Sequence, residues 1–172
     1  AEWNGATPRY VACVQGHAEV VRLLLENGAA VDRALEKGQW KGATPLLVAC
    51  WGGHVDAARL LLDKGAEVDR ARNNGCTPLY AACFNGHVEV TRLLLDKGAE
   101  VDRANDGGGT PLFVACQEGR ADAARLLLDN GAKVDKADED GHTPLDAAKY
   151  GRHDAVVALI EDHPVSYTHL TL

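Results

Sequence analysis

Cysteine precedes histidine by four residues at three places, at Cys13 and His17, Cys50 and His54, and Cys83 and His87. In an α-helix this spacing places two side chains on one face. A thiolate and an imidazole that share a face can ligate zinc or act as a nucleophile with its base. The spacing therefore raises the question of whether one zinc or nucleophile site is built three times.

An internal repeat defines the elements that carry these pairs. Thr-Pro occurs at Thr7, Thr44, Thr77, Thr110 and Thr143, at intervals of 37, 33, 33 and 33 residues. An alanine follows each threonine in register, and so does a glycine in four of the copies. A fixed period of this kind indicates stacked units, because one unit cannot bury its apolar faces alone.

Each period predicts a helix, a turn, a second helix and a hairpin. Thr77 can cap a helix whose first residue is Pro78. Gly86 suits a left-handed exit from that helix. Val90 and Leu93 then have the spacing of one apolar helix face. Since Asn, Asp and Gly supply a turn between units, we predict an all-α solenoid of helix-turn-helix units joined by β-hairpin-like loops.

The stretch "NGCTPLYAACFNGHVEVTRLLLDKGAEVDRAND" resembles an ankyrin repeat, with G-x-T-P-L, G-H, LLL and GA-x-V-D in register. The resemblance implies an ankyrin-type solenoid and an ankyrin repeat domain over residues 1–163. Its repeats are predicted at about 2–34, 41–73, 74–106, 107–139 and 140–163. An insertion near 35–40 predicts a longer first finger.

Several residues depart from the family pattern. Asp32, Asp69, Asp102 and Asp135 stand where the family often has an asparagine that can be hydroxylated, so that modification is not expected. Arg9 replaces the leucine of T-P-L, and we expect this position to be open to water because a buried charge is costly. Asp146, Lys149 and Arg152 predict a polar outer face on the last unit.

The repeat changes the interpretation of the Cys/His pairs. Four copies have a cysteine at the same repeat position, on the packed face of the first helix: Cys13, Cys50, Cys83 and Cys116. Cysteine acts there as a small apolar residue. The family's histidine in this register generally bonds backbone. No catalytic residue, metal or cofactor is therefore predicted, and a Cys/His metal or catalytic site is the less favoured alternative. Cys76, in a hairpin turn, is predicted to be an exposed thiol.

Some first-helix residues vary between copies while the core positions stay fixed. In ankyrin repeats this stripe and the hairpin tips form a concave binding face. The resemblance therefore implies eight partner-binding residues: Trp40, Val48, Trp51, Phe84, Asn85, Gln117, Glu118 and Tyr150. Trp51 and Phe84 are predicted to be the exposed centre, with Trp40 closing over whatever lies there. The alternative is that the aromatic rings only shield neighbouring units.

The hairpin tips form a charge gradient. Net charge is +1 over residues 32–42, +1 over 69–75, −1 over 102–108 and −3 over 135–142. A partner that contacts these tips should be acidic toward the first units and basic toward the last.

Composition limits the function classes. The chain has 172 residues and a net charge of −7, which argues against binding nucleic acid or an anionic membrane. Apolar runs are too short to span a membrane. Four of the five cysteines are regularly spaced, which favours a reducing compartment, cytoplasmic or nuclear.

We therefore predict a monomeric, non-enzymatic module that binds a protein or peptide. A structural spacer or targeting domain of a larger protein is the alternative. Residues 164–172, "PVSYTHLTL", match no part of the repeat and are predicted to be a dispensable tail, for which a foreign origin is one interpretation.

Overall fold

The structure is a computed structural model that describes residues 8–163, and these residues form ten helices in five consecutive pairs. We number the pairs as units one to five. The first helices of the units are α1 (Pro8–Val14), α3 (Pro45–Trp51), α5 (Pro78–Asn85), α7 (Pro111–Gln117) and α9 (Pro144–Tyr150). The second helices are α2 (Ala18–Glu26), α4 (Val55–Asp63), α6 (Val88–Asp96), α8 (Ala121–Asp129) and α10 (Asp154–Glu161).

Threonine and proline start the first helices as predicted. The hydroxyl oxygens of Thr44, Thr77 and Thr110 accept hydrogen bonds from backbone N–H groups three residues later, at 3.2, 3.1 and 3.0 Å. These bonds satisfy donors that a helix start leaves without partners. Gly86 ends α5 with a φ of 74°, which confirms the left-handed exit. Thr7 lies outside the described residues.

The connections between units are hairpin turns, which we call fingers and number in chain order. No strand occurs within residues 8–163. In the second finger, the backbone N–H of Arg72 donates to the carbonyl of Cys76 at 3.0 Å. Neighbouring fingers are joined as well, because the N–H of Asp106 donates to the carbonyl of Asn74 at 3.1 Å. In the longer first finger, the N–H of Leu35 lies 3.2 Å from the hydroxyl oxygen of the buried Tyr10.

The aspartates that close the fingers link successive units. Asp32, Asp69 and Asp102 each accept a hydrogen bond from a backbone N–H of the next unit, at Glu67, Glu100 and Lys133. The shortest distances are 3.0, 3.1 and 3.1 Å. The carboxylate oxygens of these aspartates therefore supply the acceptors for backbone N–H groups of the following unit.

The core lies between a layer formed by the first helices and a layer formed by the second helices, and it runs along the stack. Each first helix packs on the first helix of the next unit, and each second helix packs on the next second helix. Small residues such as Ala49, Ala82 and Ala115 are fully buried between the first helices. The second helices contribute larger side chains, among them Leu61 and Leu94. Within the described chain no helix is long and apolar enough to cross a membrane.

The two ends of the stack differ. Leu23 is 57% exposed, whereas its equivalent Leu93 is 5% exposed, because a preceding unit covers Leu93. The fifth unit ends in a polar surface, where Asp146, Lys149 and Arg152 are exposed as predicted. Lys149 also pairs with Glu161 of α10 at 3.0 Å.

The expectation for Arg9 is wrong. Its side chain is not open to water, since the residue is only 5% exposed. Its Nε atom is buried without a hydrogen-bond partner among the described residues. Burial lowers the pKa of this guanidinium, because the charged form loses hydration. The predicted tail at 164–172 lies outside the described residues.

Candidate interaction surface

The cysteines and the histidines of the pairs lie in different surroundings. Cys13, Cys50, Cys83 and Cys116 are fully buried between first helices. Burial raises the pKa of Cys13, Cys83 and Cys116 to about 12. These thiols are therefore neutral near pH 7, which disfavours a nucleophilic role, because the thiolate is the nucleophile.

Two histidines of the pairs, His54 and His87, bond to the preceding unit, and so does His153 at the same repeat position in unit five. Their Nε2 atoms lie 2.8, 3.0 and 2.9 Å from carbonyl oxygens at the end of the preceding first helix, His54 from Val14, His87 from Trp51 and His153 from Gln117. With the proton on Nε2, each ring donates to a carbonyl that has no partner within its helix. In the fourth unit Arg120 Nε donates to the carbonyl of Phe84 at 3.1 Å. The backbone-bonding role is thus present, and it reaches across units.

Glycine makes room for these rings. Gly53 has a φ of 73°, a left-handed conformation that side chains disfavour. The His87 ring also occupies the space that a Cβ at Gly53 would need. The Gly-His pair is therefore a contact between units two and three.

Three aromatic rings meet at the centre of the first-helix layer. Trp51 and Phe84 stack with centroids 5.1 Å apart and planes inclined by 21°. Trp40, from the longer finger, meets Trp51 edge-on at 5.0 Å. Arg72 of the second finger lies over the Trp40 ring, with its Cζ atom 5.3 Å from the centroid. We call Trp40, Trp51, Phe84 and Arg72 the aromatic cluster.

Of the two residues predicted to be the exposed centre, Trp51 is exposed and Phe84 is not fully so. Trp51 is 36% exposed, and Trp40 and Phe84 are half-buried. The rings shield one another across units, as in the alternative interpretation, yet they leave part of their surface in water. Asn85, beside the cluster, donates from Nδ2 to the carbonyl of Trp51 at 3.1 Å.

One predicted contact residue is wrong on accessibility. Val48 is 3% exposed and belongs to the core, because its side chain is covered by neighbouring helices. Gln117 is exposed, and Glu118 is half-buried. Tyr150, in the same slot as Trp51 and Phe84, is 95% exposed. The rest of the predicted set thus keeps some accessible surface, and only part of it forms one cluster.

A cleft lies between units four and five. It is a cleft of about 720 Å³ with apolar walls from Phe113 and Tyr150. Asp138, His142 and Asp146 also line it. We call this region the terminal cleft. Neither Arg72 nor Phe113 was predicted as a contact residue, although Phe113 follows T-P-L in the sequence and that position varies between copies.

Asp138, Asp140 and His142 are close enough together to be considered as metal ligands, with ligand atoms within 4.8 Å. Their arrangement follows from a turn. Asp138 Oδ1 accepts hydrogen bonds from the backbone N–H groups of Asp140 and His142, at 3.1 and 2.8 Å. Because these bonds account for the geometry, no metal is assigned here.

Comparison with known proteins adds one result. A family model described as ankyrin repeats, in three copies, matches residues 1–72, 34–105, 68–138 and 101–169. The overlapping matches run across nearly the entire chain. No curated protein matches the chain.

Proposed function

The chain belongs to the ankyrin repeat family, and from that premise we propose that it binds a protein or peptide on its concave face, with the aromatic cluster as the main anchor. Ankyrin repeats are generally protein–protein interaction modules. The proposal adds the binding face and the residues that contact the partner.

The observation that carries the proposal is the convergence of Trp40, Trp51, Phe84 and Arg72. Tryptophan, tyrosine and arginine are enriched among residues that dominate binding energy. The rings hold one another in place, so little side-chain entropy is lost when a partner covers them. Their partly exposed surface is an apolar contact area beside a cation, which suits a partner with an apolar side chain near an acidic one.

The proposal is of a binding module without catalysis. The sequence motif that suggested chemistry contributes buried, neutral thiols and structural histidines. All five cysteines are free, which supports a reducing compartment such as the cytoplasm or nucleus. Function as a spacer remains the rival, and it predicts that no concave substitution changes an interaction.

The test compares concave and convex variants in pull-downs that use the full chain as bait. Trp51→Ala and Phe84→Ala should each weaken capture of the partner by about 30-fold, as expected for an anchor worth about 2 kcal/mol. Arg59→Ala and Arg92→Ala, exposed on second helices, should capture the same protein as the wild type.

Circular dichroism of each variant checks that it is folded. Loss of the partner in the arginine variants alone would place the binding surface on the convex side. Unchanged capture by all four variants would place the binding surface away from these residues, whereas no specific capture by the wild type would favour the spacer.

A further inference from the structure

We propose that the concave face binds an extended peptide segment that places an apolar side chain on the aromatic cluster and a lysine or arginine in the terminal cleft. This inference rests on the proposed function, because it names the partner chemistry for the same face. Two features carry it: the walls of the cleft, and the change of charge along the fingers.

The terminal cleft has groups that attract a cation. Tyr150 is 95% exposed and offers a ring face, and Phe113 supplies a second ring. A lysine or arginine is attracted to the face of an aromatic ring. The volume of about 720 Å³ exceeds what one long side chain needs, so a short length of peptide backbone also fits.

Two carboxylates in the cleft keep oxygens that can accept hydrogen bonds. Asp138 uses Oδ1 for the backbone N–H groups of its own turn. Asp146 uses Oδ2 for the N–H and hydroxyl of Thr143. The second oxygen of each carboxylate has no hydrogen-bond partner among the described residues, so it can receive a charge-assisted bond from an incoming cation.

Two basic side chains share the cleft with these acids. Lys149 forms an ion pair with Glu161 at 3.0 Å, which offsets its charge. His142 lies with Nδ1 3.7 Å from Asp138 Oδ1. The finger that borders the cleft, residues 135–142, still has a net charge of −3. A cation is therefore the complementary occupant.

The other end of the groove has the opposite sign. The fingers at 32–42 and 69–75 each have a net charge of +1. Arg72 lies at the aromatic cluster itself. An acidic residue beside the apolar anchor is therefore favoured there, and a basic one is disfavoured.

The repeat fixes the approximate spacing between the two anchors. Phe84 and Tyr150 occupy the same slot two units apart. Stacked helices lie about 8–10 Å apart, which separates the slots by about 16–20 Å. An extended peptide advances about 3.3 Å per residue, so the basic residue should lie about five or six positions along the chain from the apolar one, with about four or five residues between them.

The test uses two labelled synthetic peptides and the full chain. One peptide has two aspartates, a tryptophan, a five-residue Gly/Ser spacer and two arginines. The other has the aspartates and arginines exchanged, and each is made in both chain directions. Fluorescence anisotropy should show, in one direction, at least about tenfold tighter binding of the first peptide, with less discrimination as salt increases.

Variants assign this discrimination to the cleft. Asp138→Asn and Asp146→Asn should each reduce the preference for the first peptide severalfold, and Tyr150→Ala should weaken its binding without affecting folding. Asp122→Asn, an exposed acid on α8, is the matched control and should change neither. Equal affinity of the two peptides, or equal loss in the control, would overturn the inference.

Failure of this inference differs from failure of the proposed function. If the two peptides bind alike and Trp51→Ala weakens both equally, the aromatic cluster is an anchor but the concave face does not discriminate between the charge patterns. The further inference then fails and the proposed function stands. If the first peptide is preferred yet Trp51→Ala leaves its affinity unchanged, the aromatic cluster is not the anchor.

Discussion

The indole of Trp51 lies against the ring of Phe84 with the two planes inclined by only 21° and the centroids 5.1 Å apart. The two residues belong to adjacent units, so this stack joins unit two to unit three in the layer of first helices. Aromatic pairs in this geometry contribute about 0.5–1.5 kcal/mol beyond the area they bury. The same contact therefore shapes the proposed binding surface and stabilises the array.

The stack should appear as a coupling free energy. We expect Trp51→Ala and Phe84→Ala each to lower the free energy of unfolding, and the double variant to lose about 0.5–1.5 kcal/mol less than the sum of the two. Urea denaturation of the four proteins measures this. Trp51→Ala combined with Tyr150→Ala is the control cycle and should be additive. Additivity in the first cycle would mean that the stack contributes no coupling.

The bond from His87 to the unit before it should contribute to stability. His87→Ala removes a donor that lies 3.0 Å from the carbonyl of Trp51, and we expect a loss of about 1 kcal/mol in denaturant unfolding. His17→Ala is the matched control, because His17 is exposed and contacts no preceding unit among the described residues. Equal effects of the two substitutions would show that the contact between units contributes nothing.

The thiols should separate into two classes. Cys76, predicted to be exposed, is half-buried, and burial raises the pKa of its thiol. A disulfide reagent at pH 8 should therefore modify Cys76 more slowly than a free thiol, yet faster than the four fully buried cysteines. Cys76→Ser should abolish the fast phase.

Cys83→Ala should lower the free energy of unfolding by about 1 kcal/mol, as a small core truncation does, without changing metal content. Stoichiometric zinc in the purified wild type that is lost in Cys83→Ala would contradict the neutral-thiol interpretation.

Substitution of the same repeat leucine by alanine should lower the stability of the protein by different amounts in units one and three. Leu93→Ala should destabilise the protein by about 2–4 kcal/mol, because the side chain is buried between units. Leu23→Ala should cost less than about 1 kcal/mol, since Leu23 is 57% exposed. Thermal and urea unfolding of the pair measure the difference. A large loss in Leu23→Ala would show that this face of the first unit is covered in solution.

Two aspartates should affect the pH dependence of stability in opposite directions. Hydrogen bonds from Thr143 hold the pKa of Asp146 below its ordinary value of 3.8. The folded state therefore binds this proton less tightly than the unfolded state, and the stabilisation present above pH 3.8 is lost as pH falls through the folded pKa. Burial raises the pKa of Asp69 above 3.8, although the backbone N–H of Glu100 donates to its carboxylate. The folded state therefore binds this proton more tightly than the unfolded state. The contribution of Asp69 to stability consequently declines as pH rises from 3.8 through its folded pKa.

Asparagine variants isolate these two contributions. Asp146→Asn should be less stable than wild type at pH 7, and the difference should shrink below pH 3.8. Asp69→Asn should gain stability relative to wild type as pH rises above 3.8. Urea titrations between pH 3 and pH 7 measure both trends. Parallel curves for the two variants would contradict the assigned directions.

The helices and their caps could be predicted because their causes are local. Thr77 and Pro78 determine how a helix begins whatever lies beside it, and the period makes the same argument valid in every unit. The interpretation of cysteine as a core residue also followed from its place in the period. Trp40 was predicted to close over the centre of the binding face, but its direct ring contact with Trp51 was not predicted, because it depends on how the inserted finger folds back.

Accessibility was harder to predict than secondary structure. Val48 shares its helix with Trp51, and only the packing of neighbouring helices shows that Val48 points into the core. Arg9 shows the same difficulty, since a charged residue near the start of a stack is expected in water and is instead buried. Both depend on what a neighbouring unit covers, which the residue types within one period do not encode.

The bonds from the histidines and Arg120 have a consequence for how such an array changes in length. Each donor reaches only one unit back, to a carbonyl that every unit presents at the same place. Excision of residues 77–109, one 33-residue period, would join Cys76 to Thr110 and bring Arg120 to the carbonyl of Trp51 that His87 now uses. Removal or duplication of a whole 33-residue period therefore keeps a donor and a carbonyl facing each other at the new junction, although removal of this particular period takes away the Trp51–Phe84 stack.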